Sequence, residues 1–155
     1  MKAAILSILI FISVGLNAQT EATVNVSVRL KPLMSISVNQ LAVAFDIDTE
    51  AEYIDGAEKT ILDHLNTFST DGYQVTARYS TSDLAAGTIS VTASGVNNVV
   101  YGPAVPLTET SQPLFTSANG LGRKSHDVKY RIKGGLHDQA MGSYETVVVY
   151  EIIAD

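Results

Sequence analysis

The chain has 155 residues, no Cys and no Trp, with 46% apolar and 17% charged residues. That length fits one domain with at most a short appendage, and that apolar content argues against disorder throughout. Ten Lys and Arg against sixteen Asp and Glu leave a formal charge of −6, which excludes a phosphate-tracking basic surface as the global design; the lack of Cys excludes disulfides, thiolate zinc sites and thiol catalysis.

Met1-Lys2 supplies a short positive start, and Ala3 to Val14 is an apolar run broken only by Ser7 and Ser13. Gly15-Leu16-Asn17-Ala18 ends it with mostly small and polar residues. The run is short for a bilayer span but fits the core of a secretion signal, so cleavage is expected after Ala18. The expected organisation is a signal peptide over 1–18 and one domain over 19–155. No later stretch is long and apolar enough to predict a membrane span in the mature chain.

Thr20 to Leu30 carries the cleanest strand signal. Ala22, Val24, Val26, Val28 and Leu30 alternate with Thr23, Asn25, Ser27 and Arg29, which places the five apolar residues on one face of an extended segment. Pro32 ends it or marks an edge. Leu33 to Val38 alternates with Met34, Ile36 and Val38 on one face, and Leu41 to Ile47 with Leu41, Val43, Phe45 and Ile47. An acidic tract follows, with Asp46, Asp48, Glu50, Glu52, Asp55, Glu58 and Asp63. Its Asp-x-Asp-x-Glu spacing hints at a calcium loop, but Ala51 stands where an EF-hand loop needs Gly and Ala57 where it needs Glu. A charged loop that protects a sheet edge explains the tract more simply.

Ile61 to Phe68 reads as strand, helix being the alternative. Asp71-Gly72 is a turn signal, and Tyr73, Val75, Ala77 and Tyr79 alternate after it. Ile89, Val91 and Ala93 line the next strand. Ala104 to Ala118, with Pro106 and Pro113, reads as a long connection with short strand pieces, the kind that crosses between sheets. Val128, Tyr130 and Ile132 alternate with Lys129, Arg131 and Lys133 until Gly134-Gly135. Ser143 to Ala154 is the last strand, and its centre, Val147-Val148-Val149, is apolar on both sides. Such a strand is either central or buries its second face in a partner. Many short strands with Gly, Asp, Asn and Pro between them predict an all-β sandwich or barrel.

The chemistry-bearing residues are sparse. His126-Asp127 and His137-Asp138 flank one strand, but their spacing matches no metal signature, and solvated turns account for them. Ser125-His126-Asp127 holds the residue types of a triad, yet neighbours on a strand point to opposite faces and cannot line up as nucleophile, base and orienter. Arg123, Lys124, Lys129, Arg131 and Lys133 form the basic cluster, available to an acidic neighbour or an anionic glycan. Asn25-Val26-Ser27 matches a glycosylation sequon inside the first alternating segment. No catalytic residue, cofactor or metal ligand is assigned, the chain is expected not to be an enzyme, and no nucleic-acid partner is expected.

Two segments carry a resemblance. Thr20 to Val38, an alternating strand, a Pro and a second alternating strand, resembles the mature N-terminus of pilins of the alternate chaperone–usher class. Gly142-Ser143-Tyr144 with the strand that follows resembles the closing strand of those pilins, and is similar to the end of WxL-type surface domains. Tyr73-Gln74-Val75 and Tyr150-Glu151-Ile152 stand where WxL motifs carry Trp, so wall binding is not implied. The resemblance implies an immunoglobulin-like antiparallel β-sandwich behind a cleavable signal peptide. It implies a secreted, periplasmic or cell-surface protein of structural or adhesive role, pilus subunits included. It also implies strand exchange with a second copy or a related subunit through Ala22, Val24, Val26, Val28 and Leu30. Burying five such side chains is worth roughly 7 kcal/mol gross, whether the segment pairs within its own domain or in a neighbour. The alternative is a soluble extracytoplasmic module binding glycan or calcium.

Overall fold

The computed structural model describes residues 25–120 and 122–155. The expected signal peptide over 1–18 lies outside the described residues. Residues 31–155 form one compact unit. Residues 25–30, the described part of the preceding unit, are neither strand nor helix.

The unit over 31–155 is all-β, with two antiparallel sheets. One sheet has the order β1-β2-β8-β4-β6, from Met34–Val38, Gly56–Ser69, Gly122–Lys133, Ile89–Ser94 and Val105–Pro106. The other has the order β5-β7-β3-β9, from Val100–Tyr101, Gln112–Ser117, Tyr73–Ser82 and Thr146–Ala154. Alternation sets which residues face inward. Tyr73, Val75 and Ala77 on β3, Val91 and Ala93 on β4, and Val128, Tyr130 and Ile132 on β8 are all buried, and Leu65, Leu107, Leu114 and Phe115 complete the core.

The connection expected over Ala104 to Ala118 does carry the chain from one sheet to the other, between β6 and β7. The segment read as strand or helix over Ile61 to Phe68 is strand, within β2. Asp71-Gly72 turns β2 into β3, and the Asp71 carboxylate accepts the Gly72 N–H at 2.8 Å.

Two expectations are corrected. Leu41 to Ile47 is not a strand. Its alternation persists, with Val43 and Phe45 packed against the core, but among the described residues 41–47 makes no backbone-to-backbone hydrogen bond. Alternation reports burial, and burial here comes without a ladder. Second, the acidic tract is not all loop: Glu50–Asp55 forms a short helix, α1. Thr49 caps it. Its hydroxyl accepts the Glu52 N–H at 3.3 Å, while the Glu52 carboxylate accepts the Thr49 N–H at 3.2 Å. This reciprocal box satisfies donors the helix cannot satisfy itself, and places negative charge at the positive helix end. A further hydrogen bond, donated by the Thr49 hydroxyl to the Glu52 carboxylate at 2.8 Å, and then those from the Asp48 and Thr49 N–H groups, hold the Glu52 carboxyl below its ordinary pKa. Thr49→Ala should open this turn, raising the hydrogen-exchange rates of the Glu52 and Tyr53 amides about fivefold while leaving β2 unchanged.

Among the described residues, no helix is long and apolar enough to cross a membrane.

Candidate functional site

The side of the unit where β1 and β9 end their sheets is built differently from the rest. Among the described residues β1 pairs only with β2, and β9 only with β3. The two end strands approach each other. Past Val38 the chain continues through 39–48, which is neither strand nor helix, and this segment and the stretch 139–150 line one opening. They enclose an open groove of about 900 Å³. Val43 and Phe45 line one wall, Val148 and Met141 the other, and Ile132 and Leu136 lie between. Val148, Tyr150 and Ile152 project from β9 toward the core but are only half buried, as are Val43 and Phe45. Met141 and Leu41 stand almost wholly in solvent at the rim, 98% and 93% exposed.

The strand β9 is therefore neither central nor fully covered. It is a nine-residue edge whose inner face is partly bare, and its outer face exposes Val147 and Ile153 as well. A long, flat, apolar edge is a template for pairing unless charge, proline or a covering segment blunts it. Among the described residues the ion pair on β9 joins Glu151 to Arg78 of β3 at 3.3 Å.

The groove floor carries a buried polar chain. A bulge in β2 between Ile61 and Leu65, with Asp63 in the left-handed region at φ 51°, turns His64 inward beside Leu65. The bulge is held from β8, where the Asp127 carboxylate accepts the Asp63 N–H at 2.8 Å. His64 Nε2 lies 2.8 Å from the Tyr130 hydroxyl, which lies 2.7 Å from the Tyr150 hydroxyl. Among the described residues, buried His64 Nδ1 has no hydrogen-bond partner. Burial lowers the His64 pKa and raises those of Tyr130 and Tyr150. Both phenols are pushed away from ionisation and the imidazole toward neutrality, so the trio offers hydrogen bonds rather than a phenolate nucleophile.

A second buried network lies under the opposite end of β8. His126, expected at a solvated turn, is fully buried. The alternation of Val128, Tyr130 and Ile132 continues back to it, because β8 begins at Gly122. Its Nδ1 lies 2.8 Å from the Tyr101 hydroxyl and its Nε2 3.0 Å from the Thr67 hydroxyl, which in turn lies 2.8 Å from the Tyr73 hydroxyl. The Phe115 ring packs on the imidazole, with centroids 4.4 Å apart. Burial first, and then the nearby Lys124 charge, lower the His126 pKa to about 4.

The other residues singled out in the sequence do not converge. His137 sits exposed in the 3-10 turn Leu136–Asp138, away from the core position of His126. Ser125, His126 and Asp127 separate, with Asp127 bonded to the β2 bulge and His126 to Thr67 and Tyr101. Lys129 and Arg131 both pair with Glu58 of the adjacent strand, at 3.4 and 3.2 Å. Such exposed pairs contribute little to stability. Among the described residues no three His, Asp or Glu side chains are grouped to hold a metal ion. Tyr73-Gln74-Val75 and Tyr150-Glu151-Ile152 fall on the paired strands β3 and β9, with Val75 opposite Ile152.

Of the strand-exchange candidates, Ala22 and Val24 lie outside the described residues. Val26, Val28 and Leu30 are 81%, 77% and 88% exposed. The groove and the role of His64 were missing from the sequence reading, because a bulge leaves no mark in residue alternation. No family model matches the chain, and no curated protein matches it.

Proposed function

We propose that this protein is an exported, non-enzymatic structural or adhesive subunit of a surface assembly, of the pilus type, with an immunoglobulin-like fold. In this reading residues 1–18 are removed on export, and residues 20–30 of one copy complete the groove of the next. The observation that carries the reading is the groove itself, a channel of mixed apolar and polar lining between segment 39–48 and the edge strand β9, which both have backbone hydrogen-bonding capacity to spare. An added strand would satisfy those groups and bury alternate side chains. Ala22, Val24, Val26, Val28 and Leu30 present one apolar face, and Val43, Phe45, Ile132 and Val148 are among the groove's lining.

Deleting residues 19–30 from the mature chain tests this. Sedimentation should convert the concentration-dependent oligomers of the intact chain into monomer, with residues 31–155 still folded by circular dichroism. Oligomers of unchanged size would reject the role of the segment. Partial unfolding of a chain that was already strictly monomeric would instead assign the segment to its own domain.

A further inference from the structure

We infer that the outer face of the sheet at β1, β2 and β8 carries a binding site for an acidic sugar, in which Phe68 takes the ring of a hexuronate unit and Arg123 takes its carboxylate. The site shares no lining residue with the groove and does not depend on strand complementation.

Register builds the array. Ser35 lies opposite Phe68, and Phe68 opposite Arg123. One row along, Ser37 lies opposite Asn66, and Asn66 opposite Ser125. Directly opposed residues share a face of the sheet. Leu65, Thr67 and Ser69 of β2 are buried on the inner side, so Asn66 and Phe68 belong to the outer one. Ser35, Ser37 and Arg123 are exposed, and Asn66 and Phe68 are half-buried. These five side chains line a shallow, mostly polar concavity of about 60 Å³.

Two features separate it from an ordinary solvated face. The first is the ring. Phe115 lies in the core and Phe45 packs against it, whereas Phe68 stands on the opposite face of its sheet. There it forms an apolar floor beside hydroxyl, amide and guanidinium groups. The second is the cation. Lys129 and Arg131, further along the outer row of β8, share Glu58, and Arg78 pairs with Glu151. Among the described residues Arg123 has no ion pair, and no carboxylate lines the concavity. A chain with a formal charge of −6 thus leaves this guanidinium for an outside anion.

The dimensions select the ligand class. Three strands about 4.8 Å apart and two rows about 7 Å apart make a face of roughly 70 Å². A protein partner buries roughly 800 Å² on each side, so this is the footprint of one small unit. One cation suits a single carboxylate, where a nucleic-acid backbone needs a track of several. A hexuronate then matches group by group. Its C–H face packs on the electron-rich face of Phe68. Its carboxylate accepts two parallel N–H bonds from Arg123. Its hydroxyls both donate and accept, and meet Ser35, Ser37 and Asn66. Asn66 is already oriented, because its amide nitrogen donates to Asn39 Oδ1 at 2.7 Å and Asn39 donates in turn to the Asp63 carbonyl. The Asn66 carbonyl oxygen remains to accept.

The test titrates trigalacturonate into the mature chain by calorimetry. Saturable binding is expected with a dissociation constant of about 1 mM. The fully methyl-esterified trisaccharide, which keeps the ring and removes the charge, should bind about tenfold more weakly. Arg123→Gln should weaken trigalacturonate about tenfold and Phe68→Ala about fivefold. Arg131→Gln, on the same outer row but outside the concavity, should stay within about twofold of the parent. The ester comparison uses the unaltered chain, so it holds whether or not Phe68→Ala folds. No saturable binding at about 20 mM trigalacturonate overturns the inference. So does equal binding of the ester, equal binding by Arg123→Gln, or a loss from Arg131→Gln as large as that from Arg123→Gln.

Discussion

Replacing Phe115 by Ala is expected to lower the unfolding free energy by about 4 kcal/mol. The ring is 2% exposed and is packed on three sides by aromatic groups. Its centroid lies 4.4 Å from His126, 5.5 Å from Tyr101 and 6.4 Å from Tyr73. Truncation removes the transfer free energy of the ring and leaves a void that two sheets, fixed by their ladders, cannot close. The void would also loosen the imidazole whose hydrogen bonds link Thr67 and Tyr101. A denaturant melt should show a lower midpoint with an unchanged slope, and the melting temperature should fall by roughly 10–15 °C. Val148→Ala, on the half-open wall of the groove, serves as the comparison and should cost about 1 kcal/mol in the isolated subunit, because its side chain is only partly removed from water. A Phe115→Ala loss no larger than that of Val148→Ala would contradict the placement of the core at Phe115.

Acidification should destabilise the protein in a window set by His126. Its pKa is lowered from 6.5 to about 4 in the folded state, so between those values the unfolded chain binds the proton and the folded chain does not. Stability from this group is complete above 6.5 and is lost as the pH falls toward 4. Linkage gives a loss of about 2 kcal/mol between pH 7 and 5, growing to about 3 kcal/mol at pH 4. His64, also held neutral by burial, adds to the slope with the same sign. Urea melts at pH 7, 6 and 5 read the effect above the range where exposed carboxylates titrate. The slope should shrink in His126→Gln. A pH-independent midpoint across that window would mean that His126 is not sealed from water.

How much could be read from the chain follows from what alternation encodes. Period two identified the inward residues of β3, β4 and β8 correctly, because the core needs one apolar side chain every second position whatever the sheet order. The two sheets and the crossing near Pro106 to Pro113 followed from the spacing of turn residues. Alternation overreached at Leu41 to Ile47, where Val43 and Phe45 are buried without a ladder. It fell short at His126, which sits one step further along the face of Val128, because a polar residue type was taken as a sign of exposure. The helix α1 had a legible signature, Thr49-x-x-Glu52, hidden inside an acidic run that was explained by charge alone. The groove could not have been found from the sequence. It arises from which strands end the sheets, and its floor depends on a left-handed residue at Asp63 that no pattern announces.

The irregularity in β2 adds a side chain without disturbing the ladder on either side of it. Pairing with β8 passes from Ile61 opposite Val128 to Leu65 opposite His126, so the partner advances two positions while β2 advances four. The surplus pair of residues leaves the inward parity of Ile61, Leu65 and Thr67 unchanged and adds His64 as a supernumerary side chain. The imidazole is thus carried on a local kink rather than on the regular ladder. Excising the two extra positions should restore an ordinary ladder and withdraw the imidazole, leaving the Tyr130 hydroxyl with Tyr150 as its partner.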